Sequence, residues 1–532
     1  MKKWLVVIVL SLAQFIMVLD STVMNVSISE IVADLNTTVA GLQVAITFFT
    51  LVMAAMMLTG GKIGDILGRL KTFKYGLLIY GIGALITSLS VSLPMLIFGW
   101  SFIEGLGAVL VIPAVVALVA ANYEGKDRVV AYSILGAVSG AAAAAGPLIG
   151  GAVTTYLSWR YVFAFETIIV LIILFFFASK IKDIKIIKKP TLDKISVMLS
   201  ATGIFFIVFA ILQSKTWGWI DPMSAPMING HEFTPFGYSV VPFMIAIGIG
   251  ILWFFFDRQI KLKKDGKSPL LDVSMLKVPA LRTGLANITI QYLITGGLFF
   301  VLPVYLQMSL GLDALSTGLK ILPLSFALVV FSLLGARLVG KYSPKRIIVM
   351  GKYLIIAGIC ALLFSMGPEI KDIMFQIGMF LVGGGMGLMA SQIGNVILSS
   401  VEETQTSEAG GLQGTFQNLG SSFGTAVIGS VLIASLTTGF ITSATDSSSV
   451  LPDQVKTYIS DNSKAGISVV NKNEIYNYSI KKGLSKDEAN EVTDYYMNAQ
   501  MASLKKAMLT LLFLALMGLL FSKGLPEELI KK

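Results

Sequence analysis

Long apolar runs, separated by short polar or basic turns, fill most of this chain. They can be marked at about 4–28, 39–60, 73–92, 94–121, 129–153, 161–179, 195–213, 239–256, 283–307, 317–337, 347–366, 373–397, 412–437 and 504–522. Each is close to the length that carries a helix across a bilayer core. The pattern therefore predicts an all-α integral membrane protein with roughly fourteen transmembrane helices of ~20 residues. An even number puts both termini on one side. Lys and Arg gather in the turns on that side, which makes both termini cytoplasmic. The first run follows Lys2 and Lys3, is too long for a signal-peptide core, and is expected to remain as a helix.

Two basic stretches, SKIKDIKIIKKP (179–190) and DRQIKLKKDGK (257–267), divide the runs into six, two and six. The expected organisation is an N-terminal six-helix bundle over 1–179, then basic linkers with inserted helices 7 and 8 over 180–279. A C-terminal six-helix bundle follows over 280–522, with a cytoplasmic tail at 523–532. The C-terminal bundle contains an extracellular, Ser/Asn/Lys-rich segment, 438–503. Within it, LPDQVKTYISD and SKDEANEVTDYYMNAQMASL read as amphipathic helices, the second capped by Ser485 with Glu488 three residues on. Its default reading is a solvated connector; gating or partner docking is the sharper one.

Composition narrows the function. The chain is 55% hydrophobic and 14% charged, with a mean hydropathy of +0.79, against ~25% charged in a soluble domain. One cysteine (Cys360) and one histidine (His231) exclude a disulfide framework and a His/Cys zinc cage. No phosphate-binding loop is present: Gly266-Lys267-Ser268 has Lys261 where the first glycine should be. The net charge of +10 lies in short loops, which reads as topology rather than nucleic-acid binding.

Three acids interrupt apolar runs. Asp20 lies about 24 Å along the first helix and Glu104 about 15 Å deep from Pro94, by helical rise. Glu166 sits about one and a half turns from the start of the sixth run. An acid at the bilayer centre costs about 2.5–3.5 kcal/mol on insertion scales, so such residues face the bundle interior and act there. All three belong to the N-terminal half and to overlapping depths. Facing one cavity they would repel, so at least one would hold a proton. Together they suggest a shared proton and cation site.

Several motifs resemble the major facilitator superfamily. GKIGDILGRLK (61–71) has the order Gly-x-x-x-Asp-x-x-Gly-Arg of its loop between helices 2 and 3, and LDSTVMNV (19–26) matches the first helix of its drug:proton antiporters. LIFGWSFIEGLGAVLVIP (96–113) resembles the fourth helix, with Ser101 and Glu104 in place of the usual Arg and Gln. LSWRYVFAFE (157–166) resembles the fifth-to-sixth helix corner, with Glu166 in place of Asn and with Trp159 and Arg160 as expected interfacial anchors. Gly146-Pro147-Leu148-Ile149-Gly150-Gly151 resembles the antiporter signature, Ala142 replacing its upstream glycine. YLQMSLGLDALSTGLKILP (305–323) resembles a corner of the fourteen-helix branch.

The resemblance implies a major facilitator fold, two six-helix bundles with two inserted helices. It implies that Asp20 couples protons or contacts a cation, and that Gly61, Asp65, Gly68 and Arg69 form a conformational latch in an inner turn. Gly146, Pro147, Gly150 and Gly151 become a hinge or seal, and Asn25, Gln307, Gln413 and Gln417 are expected to line a substrate cavity between the halves. The expected function is a proton-coupled antiporter in the cell membrane that exports amphipathic, cationic compounds. It would need no cofactor beyond the proton gradient, no metal and no nucleic acid, and would act as a monomer. Alternatives are export of a lipid, peptide or metabolite on the same scaffold, or a sensor or assembly protein working through 438–503. No triad, metal cluster or phosphate loop supports an enzyme.

Overall fold

The structure is a computed structural model that describes residues 4–123, 125–177, 191–222, 225–228, 231–338, 341–401, 405–446, 449, 451–463 and 467–527. The basic stretch 179–190 lies outside the described residues.

The chain opens with α1 (Leu5–Val26), a short α2 (Ile28–Asp34), α3 (Val39–Leu67) and α4 (Arg69–Ser88). Next, α5 (Leu93–Leu96) runs through a π-helical stretch (Ile97–Glu104) into α6 (Gly105–Asn122), followed by α7 (Gly125–Tyr156) and α8 (Arg160–Ile172). A second group begins with α9 (Lys194–Trp217). The small antiparallel pair β1 (Met227–Ile228) and β2 (His231–Glu232) leads to α10 (Val240–Lys264). Then come α11 (Pro279–Val304), α12 (Ala314–Leu338), α13 (Pro344–Ser365), α14 (Asp372–Ser399) and α15 (Thr406–Thr445). The chain ends with α16 (Asp453–Ser463), α17 (Lys472–Lys481) and α18 (Lys486–Leu520).

Each expected apolar run falls on a helix. Among the described residues, eleven helices are long and apolar enough to cross a membrane alone, twelve if the sharply bent α7–α8 pair is counted as one span. The remaining run, α4, opens with Arg69, Lys71 and Lys74, and those charges lower its hydropathy. Large apolar side chains such as Ile82, Phe165, Trp253, Phe326 and Phe513 point outward, as lipid-facing surfaces require.

Helices α1, α3, α4, α6, α7 and α8 pack on one another, and α11, α12, α13, α14, α15 and α18 form a second group. The groups meet along two seams, α3 against α15 and α7 against α12. Gln43 Nε2 donates to the Thr425 carbonyl at 2.7 Å across the first seam. The Leu315 amide donates to Thr155 Oγ1 at 3.2 Å across the second. The α9–α10 pair sits outside, with only 17% of the apolar window of α10 buried. Ile204 and Val208 of α9 dock on Leu51, Ala54 and Ala55 of α3.

Three expectations change. The stretch 61–71 is mostly not a loop: α3 continues to Leu67, and the reversal is made at Gly68 alone, whose φ of +101° suits glycine. Trp159 and Arg160 are not lipid-surface anchors. Trp159 is buried and its Nε1–H donates to Asp34 at 2.9 Å, while Arg160 pairs with Asp34 and donates to the Ser90 carbonyl at 2.6 Å. The segment 438–503 is not a solvated connector. It is a helical cap built from the end of α15, α16, α17 and the start of α18, with Leu451, Ile459, Val469, Val492 and Tyr496 buried inside. The Ser485–Glu488 capping box is present as expected.

Candidate functional site

Three elements bring the membrane-embedded acids together. Asp20 projects from α1, Glu104 ends the π-helical stretch, and Glu166 lies on α8. All three are buried, and their carboxylates come within 4.8 Å of one another. One oxygen of each is held by a neighbouring helix. Trp100 Nε1–H donates to Asp20 Oδ1 at 2.7 Å, Thr87 Oγ1 to Glu104 Oε1 at 2.8 Å, and the Tyr80 hydroxyl to Glu166 Oε2 at 3.0 Å. The second oxygen of each is buried with no hydrogen-bond partner among the described residues. Buried acceptors without partners are expensive, so this arrangement has room for protons or a small cation.

The local sequence explains the convergence. A π-helical stretch widens the turn and re-aims its side chains, placing Trp100, Ser101 and Glu104 inward while Phe98 and Phe102 stay exposed. Ser101 ties the stretch to α3 by donating to the Ala45 carbonyl at 2.8 Å. Gly83 lets α4 pass against it: a β-carbon there would stand 2.6 Å from both Glu104 Cγ and the Glu104 amide nitrogen.

The carboxylates do not face the central cavity. That cavity, about 620 Å³, lies between the two helix groups. Ser21, Asn25, Phe49 and Trp100 line one wall; Gln291, Tyr292, Met386 and Gln417 line the other. Phe49 and Trp100 stack with centroids 4.7 Å apart and planes 1° from parallel. Trp100 thus faces the cavity with its ring and holds Asp20 with its nitrogen. No charged side chain is among the lining residues.

Of the expected cavity residues, Asn25 and Gln417 line it, Asn25 donating to the Ser21 carbonyl at 2.7 Å. Gln413 does not; it lies against Gly394 of α14. Gln307 does not either. It joins the groups at one end of the cavity, its Nε2 donating to the Val26 carbonyl at 2.5 Å and its Oε1 accepting from the Ser29 amide at 2.9 Å. Asp65 pairs with Arg69 one turn on, within the inner turn itself, and Arg69 also donates to the Gly61 carbonyl at 3.1 Å. The antiporter-like glycines are packing positions. Gly146 lies against Thr22, Gly150 against Val23 and Gly151 against Ala314, while the Pro147 carbonyl faces Gly318. Pro147 sits inside an unbroken α7.

Tyr80, Thr87 and Trp100 carry no motif that marks them in the sequence; the one signal is the position of Trp100, four residues before Glu104 in the stretch 96–113.

Comparisons place this geometry. The family model described as Major Facilitator Superfamily matches residues 10–425. Puromycin resistance protein pur8 of Streptomyces alboniger is 26% identical over 435 residues, covering 81% of this chain and 82% of that protein. Quinolone resistance protein NorB of Staphylococcus aureus is 26% identical over 432 residues, covering 81% and 88%. Lincomycin resistance protein LmrB of Listeria monocytogenes is 25% identical over 427 residues, covering 80% and 85%. Among solved structures, a bacterial homolog of the human lysosomal transporter Spinster, inward-facing and unoccupied, superposes with a TM-score of 0.57. It shares 13% identity, with 98% of this chain and 97% of that one covered. Two packed helix groups around a central cavity, with a family match over most of the length, leave one assignment: the chain belongs to the major facilitator superfamily, a family of membrane transporters and not of enzymes.

Proposed function

We propose that this protein is a proton-coupled antiporter of the cell membrane that exports amphipathic, cationic compounds by alternating access. Fourteen helices would cross the bilayer, with both termini cytoplasmic and the 438–503 cap outside. At 32 residues, α7 is long enough to span by itself, which supports reading the α7–α8 bend as a corner between two spans. The relatives' names, puromycin, quinolone and lincomycin resistance proteins, support export of drug-like molecules.

The observation that carries the reading is the buried Asp20–Glu104–Glu166 cluster beside the cavity, separated from it by Trp100. Two like charges 4 Å apart repel by about 4 kcal/mol even at an effective dielectric of 20. The cluster therefore shares protons, and gaining or losing one changes what Asp20 offers the Trp100 N–H. Cation binding at the cavity wall uses the ring faces of Phe49, Trp100 and Tyr292 rather than an ion pair. Substrate and proton would then compete through one indole. Protonation and substrate release would bias the two helix groups toward opposite openings. The uncharged cavity favours a second reading, export of a neutral amphiphile coupled to the same protons.

The test uses purified protein in liposomes with an internal pH dye, under an imposed proton gradient. Ethidium is expected to trigger proton movement in wild type, and Glu104→Gln to abolish it. Proton movement with neutral amphiphiles alone would favour the second reading. Proton movement with neither class would reject both.

A further inference from the structure

The cap encloses a cavity of its own, about 450 Å³ and separate from the transport path. Its size falls in the ~300–1,000 Å³ range of small-molecule sites. Half of its lining residues are aliphatic, among them Ile459 from α16, Ile475 from α17 and Val492 from α18, and Phe440 of α15 adds a phenyl ring. At the mouth stand Tyr458, Tyr478 and Lys482. The Lys482 ammonium lies 5.7 Å from the Tyr458 ring centroid and 5.5 Å from that of Tyr478. No carboxylate forms an ion pair with it among the described residues. Glu474 also borders the cavity, but its Oε1 accepts from the Asn471 amide at 2.7 Å in the cap of α17.

We propose that this cap is a second binding site, taking a single-chain anionic amphiphile such as a fatty acid. The chain would lie among Ile459, Ile475 and Val492, and the head group on the Lys482 ammonium. Tyr458, Tyr478 and Lys482 hydrogen-bond to one another, which leaves one phenol O–H and the remaining ammonium protons for a carboxylate, while the aliphatic lining suits an alkyl chain. The cavity also touches the transporter proper. Tyr496 accepts from the Val470 amide and donates to the Ser468 carbonyl, both at 2.8 Å, and Gln500 one turn on accepts from Ser309 at 3.0 Å. Ser309 lies two residues from Gln307, which joins the two helix groups. An occupied cap therefore sits on the end where the cavity is closed.

The experiment uses the full-length protein in nanodiscs and a medium-chain fatty acid bearing a photoreactive diazirine, with adducts mapped by mass spectrometry. Adducts are expected within 455–492. Ile459→Trp, which narrows the cavity beside the alkyl chain, should reduce them while leaving adducts on lipid-facing helices. Lys482→Gln should weaken labelling about tenfold, and Lys482→Arg should retain it. Lys482 is exposed, so its variants keep the test alive if Ile459→Trp fails to fold. Displacement by unlabelled fatty acid alone identifies a free acid, and displacement by an anionic lysophospholipid such as lysophosphatidylglycerol identifies a membrane lipid; both support an anionic single chain. Adducts confined to the lipid-facing helices, insensitivity to both substitutions, or equal displacement by an alkylammonium of the same chain length would overturn the proposal. Because the readout is binding, it stands or falls independently of proton coupling.

Discussion

At the scale of single residues, Asp20 and Trp100 can be separated experimentally. Asp20→Asn keeps a carbonyl to accept the indole N–H but removes the titrating oxygen, so the geometry persists while proton-coupled efflux is lost. Normal coupled efflux in that variant would remove Asp20 from the mechanism. Trp100→Phe makes the converse change, keeping a ring on Phe49 and all three acids but deleting the N–H. Losing a hydrogen bond to a charged group costs about 1.5–3 kcal/mol. Substrate-triggered proton uptake is therefore expected to fall about tenfold or more, while proton binding itself remains. Asp193 provides a pH test away from the membrane core. It caps α9 and accepts from Arg258 Nε at 2.6 Å and Nη2 at 2.7 Å. That guanidinium holds its carboxyl well below the usual carboxylate range. A depressed acid contributes stability above its unfolded pKa and loses it as pH falls toward the folded one. The melting-temperature advantage of wild type over Asp193→Asn should be full near neutrality and shrink through the acid range below pH ~4.

The elements show what was readable and what was not. Charged residues inside apolar runs are rare and costly, so Asp20, Glu104 and Glu166 were legible as interior residues from sequence alone. Their donors were not. Tyr80, Thr87 and Trp100 are ordinary in membrane helices, and a π-helical stretch alters the periodicity by which faces are assigned. Gln413 and Gln417 share a helical face by spacing. Yet α15 lies where α3, α11 and α14 meet, and one turn along it exchanges cavity for helix contact. The inner turn reads as a loop by its resemblance to the loop between helices 2 and 3 of the family. In fact Gly61 and Gly64 are helical, and only Gly68 needs a left-handed conformation. Gly68→Ala should accordingly cost about 1 kcal/mol or more and lower the melting temperature, whereas Gly61→Ala, with open space at its β-carbon, should be neutral or slightly stabilising.

For the whole molecule, the division into two helix groups followed from run lengths and basic turns, but their seams did not, because long-range pairing leaves no local signature. The cap was hidden for a similar reason. Its apolar residues are spread over several short helices, and none makes a run. The seam at Gln307 carries a prediction. Cysteines at positions 29 and 307, in a Cys360→Ser background, should be joined by a short bifunctional methanethiosulfonate reagent across the end held by the bond from the Ser29 amide to Gln307. Locking that end is expected to abolish efflux, with recovery on reduction. Full efflux in the crosslinked protein would show that this end does not open during transport.

The length of α15 and α18 has a consequence beyond the membrane. At 40 and 35 residues they extend about 60 and 50 Å, well past a hydrocarbon core of ~30 Å. Neither breaks where it leaves the bilayer. The cap is therefore rigidly geared to the C-terminal helices, and any tilt inside the membrane swings it like a pointer. With the cap on the outer face, as proposed, an antibody fragment gripping that pointer would report the transport cycle from outside the cell, or jam it without ever crossing the membrane.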